Sequence, residues 1–169
     1  MKNKDILLEH LHDMDEFAVL KNITCFPIYL LGGSACILGD YVERATTDFD
    51  FIDIEYPAEA GRLFKMLERF DMLDYYVTPL APDYKQRAMM LDGFKAIKIY
   101  ILSKEDIIIS KLSRYSEKDI NDIMLLIKGC DKDLIHDLIE SVLSRDDLSE
   151  KVKNYFHRNA LSFKENLNV

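Results

Sequence analysis

Ile6, Leu7, Leu11, Met14, Phe17, Ala18 and Leu20 recur at helical spacing with acidic residues between them, and they predict an amphipathic helix over residues 4–21. The pattern then changes. Phe26-Pro27-Ile28-Tyr29-Leu30-Leu31 is a short apolar run that ends at Gly32-Gly33, as a buried strand would. Ser34 to Asp40 fits a short helix that Gly39 can end. Asp48-Phe49-Asp50-Phe51-Ile52-Asp53-Ile54 is rich in β-formers and predicts a second strand.

Pro57 stands where a helix can start, and Leu63, Phe64, Leu67 and Phe70 place one side of a helix over residues 58–70. Leu73 to Thr78 predicts a strand, and Pro79 and Pro82 mark a loop after it. Two more strands, 87–91 and 94–102, are expected to meet at Asp92-Gly93, a hairpin-turn dipeptide. The remainder is helical. Ser103 with Asp106, and Ser116 with Asp119, are N-cap signals, and Gly129 suits a helix stop. Residues 133–144 and 147–165 predict two more amphipathic helices. Tyr155, Phe156 and Phe163 on the last one are expected to pack inward or form a dimer contact. The expected organisation is α+β: an α/β core over residues 1–102, with a helical segment over 103–169 packed on it as one unit.

Composition narrows the class without deciding it. The 169 residues carry 22 Lys and Arg against 30 Asp and Glu, a formal charge of −8. That balance argues against wrapping nucleic acid by bulk charge. No apolar run approaches the ~18 residues of a membrane span, and a signal peptide is not expected, so a cytoplasmic location follows. Cys25, Cys36 and Cys130 are too widely spaced for a zinc site and are expected to be buried small apolar residues. His10, His12, His136 and His157 fall in predicted helices without metal-ligand spacing.

The candidate chemistry lies in residues 32–50. Asp48 and Asp50 are two apart on a predicted strand and share a face. Adjacent carboxylates repel unless a cation lies between them, and hard oxygen ligands suit Mg²⁺. Asp-x-Asp also occurs at Asp13/Asp15 and Asp131/Asp133, where helix caps or solvated faces explain it. The first pair differs because it follows a Gly-Gly-Ser turn between a strand and a helix. Glycines allow close backbone approach, the N–H groups that open a helix favour a phosphate, and the Ser34 hydroxyl adds a hydrogen bond.

Leu31-Gly32-Gly33-Ser34 followed by Arg44-Ala45-Thr46-Thr47-Asp48-Phe49-Asp50 resembles the signature of the DNA polymerase β-like nucleotidyltransferase superfamily. It is most similar to the small bacterial branch of minimal nucleotidyltransferases and abortive-infection toxin-like proteins. Downstream, Ser103 to Ile107, Lys111-Leu112, Arg114, and Lys118-Asp119 with Asp122 resemble the helical segment of the same branch. The likeness covers residues 28–128. It implies a nucleotidyltransferase fold: a small mixed sheet flanked by helices, with a C-terminal helical segment. It implies transfer of a nucleoside monophosphate from a nucleoside triphosphate to an acceptor hydroxyl on a protein, an RNA or a small molecule. Gly32, Gly33, Ser34 and Arg44 would hold the triphosphate, Asp48 and Asp50 would bind Mg²⁺ or Mn²⁺, and Lys111 and Lys118 would contact nucleotide or acceptor. A homodimer or an antitoxin is the kind of protein partner that fits.

One departure opens an alternative. Active members of the superfamily carry a third carboxylate on a later strand, but Phe94 to Ile101 contains no acid, and Lys98 stands about where one is expected. Asp92 is the nearest substitute, with turn chemistry as its competing role. Asp53 and Glu55 alternate onto the opposite face from Asp50. A catalytically degenerate relative, acting as a nucleotide-binding or protein-interaction module, is the second expectation.

Overall fold

Asn3 caps the first helix, α1 (Lys4–Leu20), by accepting a hydrogen bond from the Ile6 N–H at 3.1 Å. In the computed structural model, which describes residues 2–23 and 26–167, this helix buries Leu7, Leu11, Met14 and Ala18. The strand β1 (Pro27–Leu31) runs straight into α2 (Gly32–Leu38), and Gly39 caps its C-terminus. Then come β2 (Phe49–Asp53), α3 (Ala60–Phe64), β3 (Phe70–Asp74), α4 (Tyr84–Arg87), β4 (Met89–Leu91) and β5 (Lys98–Ile101). The chain closes with α5 (Lys104–Lys111), α6 (Glu117–Leu126), α7 (Lys132–Leu143) and α8 (Glu150–Leu167).

The five strands form one open mixed sheet in the order β3-β2-β1-β5-β4. β1 pairs antiparallel with β2 and parallel with β5, and β4 pairs antiparallel with β5. Paired residues share a face. Ile28, Leu30, Phe49, Phe51, Ile99 and Ile101 occupy one face and are fully buried. Each such side chain contributes roughly 1.5–3 kcal/mol by leaving water. The other face carries Tyr29, Leu31, Asp50, Tyr100 and Met90. α2 packs against β1 and β2, and α1 packs against α2 and α3. No helix among the described residues is long and apolar enough to cross a membrane.

The chain divides into two compact units. One comprises Met1–Leu73 and Ala88–Leu102, the other Asp74–Arg87 and Ser103–Val169. In the second, α5 packs with α6 and α7, and α7 with α8. Arg145 is buried there and uses all five N–H donors. It reaches the carbonyls of Tyr75, Thr78 and Leu80 and both oxygens of Asp147, at 2.8–3.1 Å. Its guanidinium lies 3.9 Å from the Tyr75 ring centroid. Phe156 and Phe163 are buried and Tyr155 is half exposed.

Several boundaries differ from the sequence expectation. Helix α3 stops at Phe64, and Phe70 opens β3 instead of closing a helix. Residues 75–77 form a turn rather than a strand, because Arg145 claims the Tyr75 carbonyl. Residues 84–87 are helical, so the strand expected from 87 begins at Met89. The hairpin at Asp92-Gly93 is not tight: Leu91 pairs with Ile99, and residues 92–97 form a loop.

Asp15 explains that loop. The carboxylate is 4 % exposed and accepts the N–H groups of Lys95, Ala96 and Ile97 at 2.8, 2.7 and 2.9 Å. Asp15 is therefore not on a solvated face, as its spacing from Asp13 implied. A buried carboxylate needs such donors, and three backbone N–H groups supply them. Cys36 is buried and Cys130 half-buried, while Cys25 lies outside the described residues.

Candidate active site

β1 delivers the chain to Gly32 in the left-handed region, with φ of +65°. Gly32 lies against Asp50: a Cβ built on it would stand 2.7 Å from the carboxylate carbon of Asp50. Only a glycine suits both the dihedral and the contact. Gly33 is packed as closely on its own side. A Cβ there would stand 2.5 Å from a terminal guanidinium nitrogen of Arg44 and 2.8 Å from Oγ1 of Thr46. The two glycines thus form a cradle with a carboxylate on one side and a guanidinium on the other.

β2 sets the carboxylates. Asp50 pairs with Leu31, which places it at the C-terminal end of β1, and its flanking residues Phe49 and Phe51 anchor the opposite face. Asp48 precedes the strand and is half-buried. The Thr47 hydroxyl donates to its Oδ2 at 2.7 Å. The segment is tied down by an isolated antiparallel bridge between Lys2 and Thr46. That bridge pairs residues 44 positions apart, and nothing in the local pattern announces it.

Ser34 has a different place from the one its motif implied. It is fully buried, donates to the Leu31 carbonyl at 3.4 Å and accepts the Asp50 N–H at 3.4 Å. Its hydroxyl fastens the start of β2 to the turn after β1. Asp92 is distant from the pair. Leu91 lies beside Ile99, and Ile99 beside Ile28, whereas Asp50 lies beside Leu31. The difference is three residues, about 10 Å along the strands, and three strands across. Asp92 is exposed at the opposite end of the sheet. Lys98, next to Pro27, is at that far end as well.

On the Asp50 face, β5 contributes Lys98 and Tyr100 and β4 contributes Met90. Tyr100 stacks on Tyr29 with ring centroids 5.0 Å apart. Burial, and then the neighbouring Tyr100, push the Tyr29 hydroxyl up, which keeps it protonated. Among the described residues, no three His, Cys, Asp or Glu side chains are grouped as a metal site.

Lys111 and Lys118 belong to the second unit. Lys111 is 8 % exposed and bonds Asp122 at 2.7 Å and Asp119 at 3.5 Å. Asp119 also accepts from Ser116 at 2.7 Å, within a capping box, and from Arg114 at 3.1 Å. Burial pushes the Asp119 carboxyl up, but Ser116, Arg114 and Lys111 outweigh it and hold it below its ordinary value. Lys118 is exposed on α6. Arg87 joins neither strand nor sheet: it forks onto Asp106 with two bonds of 2.9 Å and pairs with Asp83 at 2.6 Å.

A glycine turn packed on Asp50 of β2, with Asp48 just before that strand, lies on an open mixed sheet flanked by helices, an α+β arrangement. The chain belongs to the family described as nucleotidyltransferase of unknown function (DUF6036), which it matches over residues 9–167. Its five-stranded sheet and helices are consistent with a nucleotidyltransferase-like fold. No curated protein matches the chain.

Proposed function

We propose that the chain transfers a nucleoside monophosphate from a divalent-metal nucleoside triphosphate to an acceptor hydroxyl, as a small member of the minimal, toxin-like nucleotidyltransferase branch. The carrying observation is the packing of the Asp50 carboxylate on Gly32 with Arg44 on Gly33. The two glycines let the Asp50 carboxylate and the Arg44 guanidinium lie directly against the backbone, and Asp48 stands two residues before Asp50. Two carboxylates are hard-oxygen donors that would suit one Mg²⁺ or Mn²⁺. Such a metal supplies neutralisation of charge on the phosphates. Asp48 and Asp50 would hold it, Thr47 orients Asp48, and the Gly32-Gly33 backbone and Arg44 would hold the phosphates. Ser34 sets the position of Asp50. The acceptor oxygen bonds to the α-phosphorus, the bond to the bridging oxygen breaks, and pyrophosphate leaves.

One observation favours a second function, a nucleotide-binding module without turnover. The face that carries Asp50 receives no carboxylate from β4 or β5. A general base for the acceptor hydroxyl would then have to come from elsewhere.

Thermal-shift titration with each Mg²⁺-nucleoside triphosphate tests the site, in wild type and in Asp48→Asn/Asp50→Asn. A ligand at about 100 times its Kd stabilises by roughly 2.7 kcal/mol, or about 5–10 °C at this size. A shift lost in the variant supports the site, and labelled-nucleotide transfer then separates enzyme from module. A folded wild type that responds to no nucleotide would sink both.

A further inference from the structure

Lys2 is a buried lysine with an incomplete set of partners. Its backbone pairs with Thr46, but its side chain, 8 % exposed, turns over the Phe49 ring with Nζ 5.3 Å from the centroid. Nζ is buried and has no hydrogen-bond acceptor among the described residues. Its ion-pair partner is Glu68 at 3.4 Å, a side chain 74 % exposed. A buried ammonium whose one ion-pair partner among the described residues is a solvated carboxylate is poorly compensated.

The same side chain lines a pocket of about 360 Å³ with Ile6, His10, Thr47, Glu68 and Arg69. The His10 ring meets Phe49 edge-on at 6.3 Å. Lys2 and Arg69 outweigh Glu68, so the pocket is locally cationic in a chain of net charge −8. The pocket opens to solvent and has room for more than a bare anion. Two cationic side chains in the lining, Lys2 and Arg69, suit a doubly charged phosphate better than a singly charged carboxylate.

We propose that this pocket binds a small phosphate monoester, with Lys2 Nζ as its anchor, Arg69 as its second cation, and the phosphate in the place Glu68 holds in the structure. The site is separate from the nucleotide cradle and does not depend on the transfer activity. It touches the metal-binding segment through Thr47, whose hydroxyl is already bonded to Asp48.

Isothermal titration of the full chain, without divalent metal and at constant ionic strength, tests this with inorganic phosphate and with ribose 5-phosphate. Saturable binding is expected, tighter for the monoester because the pocket has room for its organic part. Lys2→Met should weaken it at least tenfold, and Arg69→Gln severalfold. Glu68→Gln should strengthen it severalfold, since a competing carboxylate is removed, which a purely structural pair would not do. Binding should survive Asp48→Asn/Asp50→Asn. Equal affinity for both probes would assign the pocket to free phosphate and overturn the monoester. No binding of either probe to wild type would overturn the proposal outright. So would binding indifferent to Arg69→Gln and Glu68→Gln, both exposed positions that leave folding intact if Lys2→Met does not.

Discussion

The backbone of Gly32 lies directly against the carboxylate of Asp50, so the turn after β1 and the start of β2 form one unit of structure. Gly32→Ala should therefore fail twice. The left-handed φ of +65° costs a non-glycine residue about 1–3 kcal/mol, and the new methyl displaces the carboxylate. Urea unfolding should show that loss, and the Mg²⁺-nucleotide thermal shift should disappear. Gly61→Ala is the matched control. Nothing lies within 4 Å of its built Cβ, it sits in α3, and it should stabilise by about 0.5–1 kcal/mol. A Gly32→Ala protein that keeps the full nucleotide shift would remove the cradle from the site.

Asp15 holds the 92–97 loop by three backbone N–H groups, and its loss should be felt there rather than in α1. Asp15→Ala leaves three donors without their acceptor, and hydrogen bonds to charged groups contribute about 1.5–3 kcal/mol each. A destabilisation of at least about 3 kcal/mol is expected. Hydrogen exchange at Lys95, Ala96 and Ile97 should accelerate ahead of the rest of β5. Unchanged protection at those amides would show that the loop is held by other contacts.

Much of the fold was legible because its signals are local. The strand running into Gly32-Gly33, the amphipathic α1, and the caps at Ser103 and Ser116 each depend on neighbours within about four residues. The strand that carries Asp50 was legible for the same reason, although Asp48, expected on it, precedes it. What escaped was set by partners far along the chain. Asp15 reads as a solvated helix carboxylate until residues 95–97 arrive to bond it. Residues 75–77 have β-propensity, yet Arg145 takes the Tyr75 carbonyl and makes them a turn. Lys111 resembles a ligand-facing lysine by position, but Asp119 and Asp122 already bond it. Strand direction and register are equally non-local, and they decide which end of the sheet receives Asp92.

Acid should weaken the helical unit first. Asp83, Asp119 and Asp147 are all held below the ordinary value of 3.8, and all lie in that unit. For Asp83 and Asp147 the leading cause is a hydrogen bond from Arg87 and from Arg145. For Asp119, burial opposes and its three donors prevail. A carboxyl with a lowered folded pKa contributes stability that is complete above its unfolded value and is lost as pH falls through the folded one. The loss should therefore begin near pH 4 and deepen below it. Asp119 is the buried member, so Asp119→Asn should cost on the order of 3 kcal/mol at pH 7 and flatten the acid limb. Circular dichroism melts from pH 7 to pH 2.5 would show both. An acid limb as steep in the variant as in wild type would mean other carboxylates govern it.

Asp92 and Asp50 test whether the register of the sheet or the count of acids locates the site. If proximity in sequence to β5 sufficed, Asp92 would complete a carboxylate trio and its neutralisation would impair nucleotide binding. The register says otherwise, because antiparallel pairing of β4 with β5 carries Asp92 away from the end where Asp50 meets Leu31. Asp92→Asn should leave the Mg²⁺-nucleotide shift within about 1 °C of wild type, whereas Asp50→Asn alone should abolish it. Asp92 is exposed, so the variant should also fold normally. A shift lost in Asp92→Asn with the fold intact would place that carboxylate at the metal and require a different pairing of β4. A shift kept in Asp50→Asn would instead detach nucleotide binding from the glycine cradle altogether.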